Sequence, residues 1–217
     1  HDTLPDEAAA QLFVNPLTAD LLLEASGVAE GDVLVQSAGA SAVARIATEM
    51  AVARGVHVVS VVRRGDHADR LRALGAEVVV ADANTRETRA ALREAVGGSG
   101  ARAALDPVCG EVGALLLSAL ADRSTHIVYG ALSGEPLAVS PRSLIYSQAT
   151  VRGVWRSRWW AETPRAEARQ RLSAVADLVA SGAVSLPIDA TFDLADGAEA
   201  ARSAMESGRW GKVLLTG

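Results

Sequence analysis

Cysteine is nearly absent. Cys109 stands alone in 217 residues, which excludes a disulfide framework and any multi-cysteine zinc site. Lysine is equally scarce, with Lys212 the only one among 21 basic residues. Together with the abundance of alanine, this reads as the codon bias of a GC-rich, bacterial genome. Aromatic residues make up 4% of the chain. The longest mostly apolar runs, Val56–Val62 and Ala114–Ala121, fall far short of the ~20 residues of a membrane span. No basic region followed by an apolar stretch opens the chain, so no secretory signal is read and a cytoplasmic location is expected. The net charge of -5 comes without a basic stripe, which argues against a nucleic-acid footprint. An initiator methionine is also missing: the chain begins at His1 and opens directly on a helical pattern. It is expected to be a piece of something longer.

What is present is ample material for a core. Hydrophobic residues make up 49% of the chain, and a chain of this length buries roughly 70% of its unfolded surface. From Asp32 onward, short β-branched runs alternate with helical segments. The runs are Val33–Val35, His57–Val62, Glu77–Val80, Ala103–Leu105 and His126–Tyr129. Each is nearly continuous in apolar residues, as in strands covered on both faces. Between them, 41–54, 66–74, 84–96 and 110–121 read as helices. Asp66 is the expected cap of the second, and Asn84 with Glu87 has capping-box spacing for the third. The alternation predicts an α/β fold, a doubly wound parallel (Rossmann) sheet with helices on both faces. The flanks differ. Residues 5–25 read as two helices broken near Asn15-Pro16. Beyond Thr163-Pro164, a cap and a proline at the first helical position, a long helix runs to about Ala180. A strand–helix–strand tail follows Pro187.

The first strand runs into Gln36-Ser-Ala-Gly39-Ala-Ser41-Ala-Val43-Ala44 and a helix. A dinucleotide site needs a tight turn, close backbone approach and a helix N-terminus aimed at phosphate. The G-x-G-x-x-G positions read Gly39, Ser41 and Ala44, with one glycine of three. By itself the turn fits a dinucleotide cradle and an ordinary, tightly packed strand-to-helix turn equally well. The end of the second strand decides between them. An NAD site places Asp or Glu about 20 residues past the glycines, whereas this chain has Arg63-Arg64. Two guanidiniums suit a 2′-phosphate, so NADPH is the expected cofactor.

Four stretches carry a resemblance. Val14-Asn-Pro-Leu-Thr18-Ala looks like a segment leading from a substrate domain into a cofactor domain. Gln36–Ala44 is similar to a serine-containing turn, and Val61-Val-Arg63 to an NADPH-selecting strand end. Leu144-Ile-Tyr146 followed by Val151-Arg-Gly153-Val-Trp155 and Trp159 is close to an Arg-Gly-Phe-Trp stretch. Tyr129-Gly130 and Gly211-Lys212 add to these. The chain resembles the cofactor-binding part of the medium-chain dehydrogenase/reductase superfamily, especially its zinc-free 2-enoyl thioester reductases. Ala42 and Ala44 depart from its usual glycines.

The resemblance implies a division into three parts. Residues 1–25 are a helical lead-in from a missing N-terminal substrate domain. Residues 26–186 are the dinucleotide-binding domain, and 187–217 are the returning remnant of the substrate domain. It implies that NADPH delivers hydride to an α,β-unsaturated acyl thioester, or to a quinone in the related reductases. Gly39, Ser41, Val43 and Ala44 would lie along the pyrophosphate, and Arg63 and Arg64 at the 2′-phosphate. Thr18 and Trp155 would lie towards the nicotinamide, with Tyr129 and Lys212 as further cofactor contacts. No residue is assigned a catalytic role, because the family's tyrosine acid has no counterpart here. His57, His67 and His126 lack metal-ligand spacing, so no metal is expected. A homodimer through the edge near Val151–Trp155 is also implied. The tryptophan cluster fits a pocket lining, a buried cluster or a dimer contact. The alternatives in function are a non-catalytic module that holds a dinucleotide or a partner protein, and a remnant that binds no nucleotide.

Overall fold

The structure, a computed structural model, describes residues 4–217; the expectation drawn from His1 lies outside the described residues. In chain order the elements are α1 (Asp6–Leu12), α2 (Asn15–Ser26), β1 (Val33–Gln36), α3 (Ala42–Val52), β2 (His57–Val62), α4 (Ala68–Ala73), β3 (Ala76–Val80), α5 (Arg86–Val96), β4 (Ala101–Asp106) and α6 (Gly110–Leu117). They continue with β5 (Leu120–Val128), α7 (Pro141–Tyr146), β6 (Thr150–Gly153), α8 (Arg156–Glu162), α9 (Arg165–Ala180), β7 (Ile188–Asp193), α10 (Gly197–Met205) and β8 (Lys212–Thr216). The first six strands form one parallel sheet in the order β3-β2-β1-β4-β5-β6. β7 and β8 pair in a separate parallel sheet.

Helices cover both faces of the large sheet, which is why its central strands are apolar throughout rather than alternating. On one face Leu22, Leu23, Ile46, Met50 and Val175 from α2, α3 and α9 pack on Leu34, Val58 and Leu105. On the other, Leu92 and Val96 of α5 and Leu115 and Leu116 of α6 pack on Val35, Val59 and Ala104. Pro16 sits in the first turn of α2, where its missing N–H costs nothing.

Some local details differ from the sequence expectations. α4 starts at His67 without a side-chain cap, and Asp66 instead pairs with Arg64. The capping box of α5 is built by Thr85 and Thr88, one position later than Asn84 and Glu87. The helix expected over 110–121 ends at Leu117, and its last residues begin β5. Pro164 caps α9 instead of opening it, and α7 and α8 fill a stretch with no strong helical periodicity.

The small sheet is clasped to the large one through Trp210. The buried Arg45 of α3 donates from Nη2 to the Trp210 carbonyl at 2.7 Å, and its guanidinium lies 4.3 Å from the indole centroid. His67 Nε2 is 2.9 Å from the Gly208 carbonyl, and its ring tilts against Trp210. Burial lowers the pKa of the Arg45 guanidinium despite the nearby carboxylates of Glu49 and Asp189.

Candidate functional site

Strand order reverses at β1, which pairs with β2 on one side and β4 on the other. The crevice beyond the carboxyl ends of β1 and β4 is where open parallel sheets of this kind hold ligands. A cleft of about 600 Å³ opens there. Its walls come from Ser41, the β2 end from Val61 to Arg64, Ala81 and Asp82 after β3, and Val108 to Val112.

The turn after β1 is built for close approach. Ala38 takes a left-handed conformation with φ 49°. Gly39 donates its N–H to the Val61 carbonyl at 3.1 Å. A Cβ on Gly39 would lie 2.7 Å from Ser60 Cβ and 3.2 Å from Val62 Cγ1, so glycine here lets the turn press against β2. Ser41 caps α3: its hydroxyl accepts from the Ala44 N–H at 3.3 Å, and its own N–H donates to the Ala38 carbonyl. A helix start leaves four N–H groups without helical partners. With those of Ser41 and Ala44 used, Ala42 and Val43 present theirs to an anion at the positive end of the helix. Ala44 is buried, and its carbonyl accepts from Gln36 Nε2 at 3.0 Å and Thr48 Oγ1 at 2.9 Å. Gln36 also reaches Ser60 at 2.9 Å, so one buried side chain ties β1, β2 and α3 together.

The other side of the crevice rests on Asp106, the buried last residue of β4. Its Oδ1 accepts from Ser37 Oγ at 2.7 Å and from the Val108 and Cys109 N–H groups at 2.9 and 3.0 Å. Its Oδ2 lies 3.0 Å from His126 Nε2. Burial alone would raise the pKa of this carboxyl, but the donors around it hold it below the ordinary carboxylate value. Gly113 gives it room, since a Cβ there would meet Oδ2 at 2.4 Å. The loop it anchors carries Cys109 at φ 63°, ψ -152°, a region that is essentially glycine-only. Burial, with the Asp106 charge, pushes the Cys109 thiol up. The same two causes raise Tyr129, whose N–H donates to the Asp106 carbonyl.

Of the residues expected at the site, Ser41, Arg63 and Arg64 line the cleft together. Gly39 and Ala44 shape it from behind. The Val43 side chain packs against the core, leaving only its backbone on offer. Thr18 lies within α2, its hydroxyl bonded to the Val14 carbonyl at 2.5 Å. Tyr129 packs on the core beside Asp106, and Trp155 stands 70% exposed at the start of α8. Lys212 opens β8; burial, with the charges of Arg209 and Arg45, lowers its pKa. None of these four lines the cleft. The tryptophan cluster is also elsewhere: Trp160 meets Phe13 edge-on at 4.7 Å, joining α8 to the α1–α2 corner. Sequence reasoning missed Asp106, which anchors the Val108–Cys109 wall from behind, and His67, Gly208 and Arg209, which border the cleft. Only the Asp106-Pro107 pair after a strand hinted at the first.

Residues 42–177 match the family described as zinc-binding dehydrogenase. The mitochondrial enoyl-[acyl-carrier-protein] reductase of Dictyostelium discoideum is 30% identical over 98% of this chain and 61% of its own length. The chain belongs to this family. It is a cofactor-binding part of a medium-chain dehydrogenase/reductase, and it spans about three fifths of the curated relatives it matches. The Homo sapiens enzyme of the same description is 30% identical over 98% of this chain and 58% of its length. Among solved medium-chain reductases, a mycobacterial quinone oxidoreductase superposes with a TM-score of 0.90 at 27% identity, covering 100% of this chain and 66% of that one. A mycobacterial protein complexed with NADPH gives 0.83 at 27% identity, covering 94% and 62%. No helix among the described residues is long and apolar enough to cross a membrane.

Proposed function

We propose that this chain is the cofactor-binding domain of an NADPH-dependent reductase that acts on an activated double bond, a 2-enoyl thioester. The observation that carries this reading is the pair Arg63-Arg64 at the lip of the switch-point cleft, where an NAD site would hold a carboxylate. The free N–H groups at the start of α3 and the space behind Ser41 fit a pyrophosphate, so the residues present suit the group. Gly39, Ser41, Val43 and Ala44 form the pyrophosphate side, and Arg63 and Arg64 bind the 2′-phosphate. Thr18, Trp155, Tyr129 and Lys212 do not line the cleft, so their cofactor contacts rest on the family resemblance alone. When bound, NADPH supplies hydride; the domain binds, orients and excludes water. The relatives described as enoyl-[acyl-carrier-protein] reductases support the thioester. The quinone oxidoreductase among the structural relatives favours quinone as a second acceptor.

The division into a lead-in (1–25), a dinucleotide domain (26–186) and a returning strand–helix–strand (187–217) belongs to the same reading. So do independence from zinc, a bacterial source and a cytoplasmic location, although the curated relatives are described as mitochondrial. β6, an edge strand with mostly exposed residues, supports a homodimer through that edge. Tryptophan-fluorescence titration tests the cofactor. NADPH should bind at least about ten-fold tighter than NADH, one 1.4 kcal/mol step, and the double variant Arg63→Ala/Arg64→Ala should abolish that preference. Equal affinities in the unaltered chain would defeat it. Turnover of crotonyl thioester or quinone by the full-length protein, with none by this chain alone, tests the rest.

A further inference from the structure

Arg63 and Arg64 stand side by side on the lip of the cleft, but their electrostatic surroundings differ. Arg64 Nε lies 3.1 Å from Asp66 Oδ2, with the two side chains 49% and 59% exposed. Arg63 makes no ion pair among the described residues. Asp66 itself lines the cleft. Asp66 has no capping bond to α4, the task its position in the sequence suggests, so its carboxylate is spent on Arg64 alone. The other charged or titratable groups lining the cleft are Asp82 beyond β3, His67 ahead of α4, Arg209 in the tail, and Cys109, Glu111 and Glu135 on the opposite wall. Arg209 is turned away, donating to the carbonyls of Ala204, Glu206 and Gly211. His67 is held by the Gly208 carbonyl. Arg64 is therefore the one cation here whose partner is an exposed acid that a ligand can replace.

We propose that Asp66 is a specificity-determining residue: by pairing with Arg64 it sets how strongly the cleft prefers a nucleotide bearing a 2′-phosphate over one with a bare ribose. This rests on the NADPH reading above. A phosphate carries more charge and more acceptor oxygens than a carboxylate, so it can take Arg64 from Asp66. Binding then pays for breaking the existing pair and for bringing two anions close together. A nucleotide without the phosphate leaves the pair intact and gains nothing from its removal.

The test is calorimetric titration of 2′,5′-ADP, NADPH and NADH into the unaltered chain, Asp66→Asn, Arg64→Ala and the double variant, at low and at moderate salt. An exposed pair is worth at most about five-fold in affinity. Asp66→Asn should therefore tighten 2′,5′-ADP and NADPH by about that factor, and less at higher salt. NADH should stay unchanged, and the gain should vanish when Arg64→Ala is also present. An equal gain for NADH, or a gain that survives Arg64→Ala, overturns the pairing mechanism. Binding of 2′,5′-ADP that Asp66→Asn leaves unaltered defeats the role of Asp66 alone. Failure of the unaltered chain to bind either 2′-phosphate ligand defeats the NADPH reading, and this role with it. Both positions are exposed, so thermal melts of the variants should overlay that of the parent.

Discussion

The inner strands of the large sheet differ in burial from its β6 edge and from the separate β7–β8 pair. β1, β2 and β4 are buried along nearly their whole length, including polar Gln36, Ser60 and Asp106. β6, β7 and β8 are at best half-covered, with Leu215 47% and Ile188 40% exposed. The first group finds all its partners within this chain. The second presents apolar side chains and a free edge that a monomer of this length does not use. Folding information is thus concentrated around the crevice, while the margins carry information about what lies next to them.

That contrast can be broken most directly by truncation. Leu34→Ala, at a fully buried position in β1, should cost about 3 kcal/mol in chemical denaturation, within the range for buried leucines. Leu215→Ala in β8 should cost well under about 1 kcal/mol, as expected for a half-exposed side chain. Similar losses at the two sites would erase the distinction. Next in size is Asp106→Asn, expected to cost about 2 kcal/mol because charge-assisted bonds are replaced around a buried group. The pH dependence has a definite sign. The folded pKa of Asp106 is depressed, so its contribution is complete above its unfolded pKa, about 4. It is lost as pH falls through the lower folded value. Acid titration of stability should show this loss in the parent and not in Asp106→Asn. The smallest expected effect is a gain. Cys109→Gly should stabilise by about 1 kcal/mol, the relief of a glycine-only conformation partly offset by lost side-chain packing. A loss instead would show that the thiol's contacts outweigh the backbone strain.

The sequence made the inner sheet legible because each strand there is a local apolar run, and Gly55 and Gly75 punctuate the helices as left-handed stops. Arg63 and Arg64 could be placed because their distance from Gly39 is fixed by one strand–helix–strand unit. What stayed hidden depends on contacts between distant residues. Gly39 reads as room for a ligand, yet the nearest obstacle to a side chain there is Ser60, a neighbour only once β2 lies beside β1. Asp106 looks like an ordinary strand end until Ser37, just past β1, and His126 of β5 converge on it. Thr85 rather than Asn84 is the cap: its N–H donates to Thr88 Oγ1, whereas the Asn84 N–H donates to Glu111 on the next unit. Helix α8 has a weak local pattern, and its tryptophans reveal their purpose only against Phe13.

The Trp210 clasp has a mechanical consequence. Arg45, which grips it, lies four residues beyond Ser41, about 6 Å along the axis of α3. The same first turns of one helix border the cleft and hold the small sheet. A stiff rod gripped so near one end transmits a tilt with little loss, so a rotation of the β7–β8 unit would register at the Ser41 end of α3.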